Sequence, residues 1–162
     1  MPLEANQDCR PARPLSILTM AGTADPVVRW TGEMALGGIV SLQQRMSVPA
    51  SFDSWRRANR CAGFTSARPV PRRGHGTQPD VLVHAATGCA AGVRTLLYEV
   101  RGGGHWLVAG DDWILLRLLG RASPDIDPGA LLLEFALKPG HIPGLGQEDS
   151  PAVARDGAGA AR

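Results

Sequence analysis

The stretch Pro14-Leu15-Ser16-Ile17-Leu18-Thr19-Met20, followed at once by Ala21-Gly22-Thr23-Ala24-Asp25-Pro26, decides which fold this sequence can adopt. The first part is a short apolar run, and the second part is rich in turn-forming residues. An apolar run of this length that ends in a turn favours a buried β-strand over a helix. We therefore predict a strand over residues 14–20, with Asp25 in the loop that follows it.

Two further strands are predicted later in the chain, over residues 80–84 and 94–100. The glycine-containing turn between them, residues 87–92, is short enough to make the two strands neighbours, as in a hairpin. Residues 64–80 are rich in arginine, proline and glycine, which predicts a surface loop.

Two helices complete the pattern. The first is predicted to start near Ser47, with Pro49 in its first turn, and to stop near Cys61, where Gly63 offers a left-handed cap. The second is predicted over residues 130–137 and is expected to bury the residues that share one face, which are Leu131, Leu132, Phe135 and Ala136. Together these elements predict an α/β fold.

The length and composition set limits on the function. The chain has 162 residues, enough for one domain, and a net charge of only +2, spread along the sequence. Neither a nucleic-acid partner nor a membrane partner is predicted from such a charge pattern. No apolar run approaches the roughly 18 residues of a membrane span, and residues 1–8 do not resemble a signal peptide. No cofactor is predicted, because Cys61, His75, His84 and Cys89 match no common zinc spacing.

Asp25 and His105 are the candidate catalytic residues. Asp25 follows the first strand, and His105 follows Gly102-Gly103-Gly104 directly after a later strand. If the two strands are parallel, their carboxyl ends meet at one edge of the sheet, where loops converge. A carboxylate that orients an imidazole, which in turn shuttles the proton of a hydroxyl nucleophile, is the acid and base pair of a hydrolase triad.

The chain resembles the polyhydroxybutyrate depolymerase and feruloyl esterase-like branch of the α/β-hydrolases. The resemblance runs over about residues 9–138 and is carried by five motifs in order. They are Cys9 to Pro14 with Gly22 to Val28, Met46 to Val48 with Trp55 to Cys61, Gly88-Cys89, Leu97 to Val100 with Gly102 to His105, and Asp125 to Asp127 leading into Glu134-Phe135. The chain departs from the family pattern at Ala21, where the family usually has a histidine, and at residues 106–110, where a Trp-Pro-Gly motif is replaced.

This resemblance implies a serine esterase that acts on a polyester or a small ester, with Asp25 as triad acid and His105 as triad base. It also implies an extracellular protein. By the same resemblance, residues 1–138 are expected to form the C-terminal half of an α/β-hydrolase domain, with an incomplete sheet and flanking helices. Residues 139–162, rich in glycine, proline and alanine, are expected to be a disordered tail.

The nucleophile of such an enzyme lies on a Gly-x-Ser-x-Gly elbow upstream of the acid. None of the serines of this sequence has that glycine context. We therefore expect the chain to be inactive alone, with a complementary N-terminal half as a candidate partner. Two alternatives remain open: a truncated or degenerate hydrolase fragment without catalytic activity, and an unrelated small binding domain.

The cysteines also leave two interpretations. By resemblance to the secreted relatives, Cys61 and Cys89 can form a bridge near the active-site face. Two separate buried thiols fit the sequence equally well.

Overall fold

The structure, a computed structural model, describes residues 11–32, 35–36, 39–40, 46–71, 81–105 and 119–145. Its elements in chain order are β1 (Ile17–Gly22), β2 (Ala35–Leu36), β3 (Ile39–Val40), α1 (Val48–Ala58), β4 (Gly63–Phe64), β5 (Arg68–Pro69), β6 (Val81–Thr87), a 3₁₀ turn (Ala90–Gly92), β7 (Thr95–Val100) and α2 (Pro128–Leu137). The predicted α/β class is confirmed at this level.

The main sheet has five strands and mixed directions. Its order is β1-β7-β6-β4, with β5 also paired to β6. The pair β1 and β7 is parallel, from Ile17 opposite Thr95 to Gly22 opposite Val100. The pair β6 and β7 is antiparallel, so the predicted neighbouring strands are confirmed. Residues 64–80 are not only a loop as predicted, since Phe64 and residues 68–69 pair with β6.

One face of the sheet carries the hydrophobic core. Alternate residues of β6 and β7 point to this face, and they pack against Leu131 of α2 and against the segment that follows α2. The buried cluster consists of Val70, Val81, Val83, Ala85, Leu96, Tyr98, Val100, Leu131, Ile142 and Leu145. The expected disordered tail therefore does not begin at residue 139: the chain stays packed on the core up to Leu145, and residues 146–162 lie outside the described residues.

The segment after α2 is held by two polar anchors. Tyr98 is fully buried, and its hydroxyl donates to the carbonyl of Pro143 at 2.6 Å. The guanidinium of Arg94 donates to the carbonyls of Lys138 at 3.0 Å and His141 at 2.8 Å, and also to that of Phe135. The carbonyls in the last turn of a helix lack partners within the helix, and a cation at this end, here bonded to Phe135, Lys138 and the chain just beyond, satisfies such groups. The glycine and proline content of residues 139–145 predicted disorder and gave no indication that this segment packs on the core.

The other face of the sheet is covered by α1. Ser47 caps this helix by accepting from the backbone N–H of Ala50 at 3.2 Å, which agrees with the predicted start. The helix ends at Ala58, earlier than predicted, and Arg60 rather than Gly63 takes the left-handed conformation, with φ of 53°. At the helix end, the fully buried side chain of Asn59 bonds to the backbone of Leu15 and to the hydroxyl of Thr95. Asn59 therefore ties α1 to the start of β1 and to β7.

The second helix departs from prediction in what it buries. Its N-cap is Asp127, whose side chain accepts from the N–H of Ala130. Only Leu131 is buried; Phe135 is half-buried, while Leu132 and Ala136 are exposed. The predicted buried face of four residues is therefore wrong for Leu132 and Ala136. The apolar pattern of this helix is broad enough to allow several rotations, and the packing of Leu131 into the core cluster selects one of them.

Candidate active site

The site lies where the loops after β1 and β7 meet. Because these strands are parallel, their carboxyl ends lie at the same edge of the sheet, as predicted. The loop after β1 carries Asp25, and the loop after β7 carries His105. The two residues are 80 positions apart in the sequence, so the parallel pairing alone brings them into one place.

The two loops are joined by backbone hydrogen bonds. The N–H of Thr23 donates to the carbonyl of Val100 at 2.9 Å, and the N–H of Ala24 donates to that of Gly103 at 2.9 Å. In return, the N–H of Gly102 donates to the hydroxyl of Thr23 at 2.8 Å. Each loop therefore donates hydrogen bonds to the other, and these bonds fix their relative position.

Glycine makes this close approach possible. A Cβ placed at Gly22 would lie 2.2 Å from the carbonyl oxygen of Gly103, and one at Gly104 would lie 2.0 Å from that of Leu119. No larger residue fits at either position without moving the backbone. Glycine here is therefore required by backbone contact.

A third segment supports the histidine loop. The N–H of Gly104 donates to the carbonyl of Arg121 at 2.7 Å, and the N–H of His105 donates to that of Leu119 at 2.5 Å. Sequence reasoning missed this support. Its signal in the sequence is the glycine that ends an apolar run at Gly120, which is typical of a turn.

Asp25 and His105 form a hydrogen-bonded pair. The distance from Nδ1 of His105 to Oδ2 of Asp25 is 2.8 Å. The other carboxylate oxygen of Asp25 accepts from the N–H groups of Val27 and Val28, each at 2.8 Å. The Asp25 side chain is 9% exposed, whereas that of His105 is 41% exposed. The carboxylate is thus held in place on both oxygens, and the imidazole it orients remains accessible.

An apolar cavity of about 340 Å³ opens beside the pair. Asp25 and His105 are among its lining residues, and most of the others are apolar. Its apolar walls include Leu18, Met20, Val28, Val48, Val100 and Ile126. A carboxylate–imidazole pair at the mouth of an apolar cavity is suited to proton transfer on a substrate with an apolar group.

Cys61 and Cys89 form a disulfide bond. It links the end of α1 to the turn between β6 and β7. The bridge settles the choice between a bond and separate thiols, and since both thiols are used, they cannot ligate zinc. The structure does not describe His75, which belonged to the zinc combination considered above. Cys9 and residues 106–118, which include Trp106, also lie outside the described residues.

Comparison with known proteins gives one partial similarity. A protein named feruloyl esterase B, from Piromyces equi, is 30% identical to this chain over 100 residues. The matched region is 60% of the chain but 16% of the relative, so the chain spans only a small part of that protein's length. No family model matches, and no solved structure matches.

The fold and the similarity together define a mixed α/β chain with a distant esterase-like relationship. Among the helices of the described residues, none is long and apolar enough to cross a membrane.

Proposed function

We propose that this chain carries the acid and base of a serine carboxylic ester hydrolase of the feruloyl esterase or polyhydroxybutyrate depolymerase type. The observation that supports this most directly is the 2.8 Å contact between Nδ1 of His105 and Oδ2 of Asp25, beside an apolar cavity. The similarity to feruloyl esterase B agrees in reaction class. The proposed substrate is an ester with an apolar acyl or alcohol group.

In this proposal the Asp25 carboxylate accepts a hydrogen bond from the Nδ1–H of His105, which leaves the Nε2 lone pair free. Nε2 takes the proton of a serine hydroxyl as its oxygen attacks the ester carbonyl carbon. The imidazolium that forms is stabilised by Asp25, and its Nε2 proton then passes to the leaving alcohol as the C–O bond breaks. Water repeats the sequence on the acyl-enzyme, which releases the acid and restores serine.

The serine is not among these 162 residues in the expected context, because the sequence contains no Gly-x-Ser-x-Gly elbow. We propose a complementary N-terminal half as its source, together with the oxyanion-hole donors that accompany the elbow. The chain alone is then inactive. The absence of an elbow also favours a second candidate, a degenerate hydrolase fragment without catalytic activity. The two candidates differ in one outcome: supplying the missing elbow restores turnover in the first and not in the second.

We further propose that the protein works outside the cell. Disulfide bonds persist in oxidising compartments and are rare in the cytosol, and Cys61 and Cys89 form one here.

A transplant tests the catalytic proposal. A segment of feruloyl esterase B that contains the 100 matched residues is replaced by residues 9–138 of this chain, which include Asp25 and His105, and hydrolysis of a chromogenic short-chain ester is measured. Turnover is expected, with a loss of about 10³-fold or more on His105→Ala and on Asp25→Asn. A folded chimera without activity would favour the degenerate fragment, and activity that survives His105→Ala would refute the assignment of the base.

The isolated chain provides the matched control. It should show no turnover of the same ester above the buffer rate. Turnover by the isolated chain that disappears on His105→Ala would mean that a nucleophile is present in these 162 residues after all.

A further inference from the structure

The loop that carries His105 begins with three glycines, residues 102–104. Glycine has no side chain to pack and allows more backbone conformations than any other residue. The position of the imidazole therefore depends on the hydrogen bonds of the loop backbone, and on the groups that accept them.

The four consecutive N–H groups of residues 102–105 all have acceptors. Three of them donate to backbone carbonyls, which are those of Val100, Arg121 and Leu119. The first, the N–H of Gly102, donates instead to the hydroxyl of Thr23 at 2.8 Å. Thr23 lies in the loop of Asp25. Its hydroxyl is thus the acceptor that joins this backbone to the Asp25 loop and that depends on the type of side chain.

Thr23 bonds to the turn after β7 at two points. Its N–H donates to the carbonyl of Val100 at 2.9 Å, and its hydroxyl accepts from the N–H of Gly102. These two residues are the first and third of a turn that the N–H of Gly103 closes onto Val100 at 3.1 Å. Because threonine is branched at Cβ, its hydroxyl is confined to few rotamers. A stiff acceptor two residues before Asp25 therefore sets how the two loops lie against each other.

The hydroxyl contact contributes more to the geometry of the site than to the stability of the fold. Gly102 is exposed and Thr23 is half-buried, so water can accept from the N–H of Gly102 when the hydroxyl is removed. Such a water does not tie the turn to the Asp25 loop. The loss should therefore appear at the contact between His105 and Asp25, which depends on the relative position of the two loops.

We propose that Thr23 is a positioning residue for the acid and base pair, and that its hydroxyl holds the turn before His105 so that the imidazole reaches Asp25. The effect on turnover rests on the proposed function, whereas the effect on the hydrogen bond between His105 and Asp25 does not. Thr23 acts through the N–H of Gly102, and the chemistry stays with the pair.

NMR of the full chain tests the effect on the hydrogen bond. Thr23→Val removes the acceptor and keeps the backbone N–H and the branched shape. The Nδ1–H signal of His105, assigned by its absence in His105→Ala, should exchange with solvent about three- to tenfold faster, the range expected for the loss of one ordinary hydrogen bond. Thr23→Ala should behave in the same way, and Thr23→Ser, which keeps the acceptor, should restore the wild-type rate.

Thr65→Val is the matched control. It also removes a threonine hydroxyl, one that bonds to the backbone of Ala85 on β6, and it should leave the His105 signal unchanged. An unchanged signal in Thr23→Val, no restoration by Thr23→Ser, or an equal change in Thr65→Val would each overturn the proposal.

Kinetics of the chimera described above separate this proposal from the proposed function. In an active chimera, Thr23→Val should lower kcat about three- to tenfold and leave KM unchanged, with restoration by Thr23→Ser. An inactive chimera together with the expected change in the His105 signal would refute the proposed function and leave the positioning role supported. An active chimera whose kcat does not respond to Thr23→Val would overturn the positioning role.

Discussion

Gly22 lies directly against the carbonyl group of Gly103, so that a Cβ on Gly22 would come within 2.2 Å of that oxygen. The contact joins the loop of Asp25 to the loop of His105. It therefore controls whether the carboxylate and the imidazole can reach each other.

Gly22→Ala should force these loops apart. We expect a loss of about 1–3 kcal/mol in the free energy of unfolding, because the clash is with backbone that cannot rotate away. The Nδ1–H signal of His105, measured by NMR, should lose the shift that comes from its hydrogen bond to Asp25. Gly63→Ala is the control, since a Cβ there meets only the Thr87 hydroxyl at 3.4 Å. Equal effects of the two substitutions would contradict the importance of this contact.

The disulfide between Cys61 and Cys89 should contribute strongly to stability. It closes a loop with a sequence separation of 28, for which chain entropy predicts about 3–4 kcal/mol. Replacing both cysteines by alanine should lower the urea midpoint accordingly. Because the chain has 3 cysteines, the denatured protein should take up one alkyl group per chain before reduction and three after it. Three before reduction would show that the bridge is absent.

Tyr98 should remain protonated for as long as the protein is folded. Burial, and then the charge of Glu134, raises the pKa of its hydroxyl far above the usual value. Because the pKa of this hydroxyl is higher in the folded than in the unfolded chain, its protonated form stabilises the fold. That stabilisation is present below about pH 10, the pKa of an unfolded tyrosine, and is lost as the pH rises beyond it. Since the chain has a single tyrosine, phenolate absorbance reports it directly. Ionisation near pH 10 in the folded protein would contradict this burial.

Tyr98→Phe should loosen the segment after α2. The carbonyl of Pro143 would lose the donor that now lies at 2.6 Å, and an unsatisfied buried carbonyl costs about 1–3 kcal/mol. The amides of Ile142 and Leu145 should exchange faster, while those of β1 keep their rates. Unchanged exchange at Ile142 would mean that apolar packing alone holds this segment.

Glu134 should make a pH-dependent contribution to the free energy of unfolding, through its interactions at the end of α2. The hydrogen bond from Lys138 is the main cause that holds the pKa of its carboxyl below the usual value, with help from the N–H of Gly144 and from His141. Because the pKa of this carboxyl is lower in the folded than in the unfolded chain, its ionised form stabilises the fold. That stabilisation is present above about pH 4.3, the pKa of an unfolded glutamate, and is lost as the pH falls through the pKa of the folded protein. Because the side chain is partly exposed, Glu134→Gln should cost only about 0.5 kcal/mol at pH 7.

Urea unfolding of wild type and Glu134→Gln at two pH values checks this. The difference in unfolding free energy between the two proteins should disappear at a pH below the pKa of Glu134 in the folded protein, where glutamate and glutamine are both neutral. A difference of the same size at both pH values would mean that packing, and not charge, explains the effect.

Local patterns account for the parts of the structure that the sequence predicted well. The strand before Asp25, the hairpin-like pair β6 and β7, and the start of α1 at Ser47 each depend on residues close together in the chain. The errors have a common physical origin. The burial of Ile142 and Leu145, the end of α1 and the exposed Leu132 depend on which distant surface each segment meets.

The sequence by itself determined that an acid and an imidazole each follow a strand, because a short apolar run and a glycine turn are local signals. It also determined that no Gly-x-Ser-x-Gly elbow accompanies them. Only the tertiary structure decided that Asp25 and His105 touch, since 80 residues separate them and parallel pairing of β1 with β7 brings their loops together. It also decided that Cys61 bonds to Cys89 and that β1 lies next to β7 in the sheet, because both depend on which segments lie side by side.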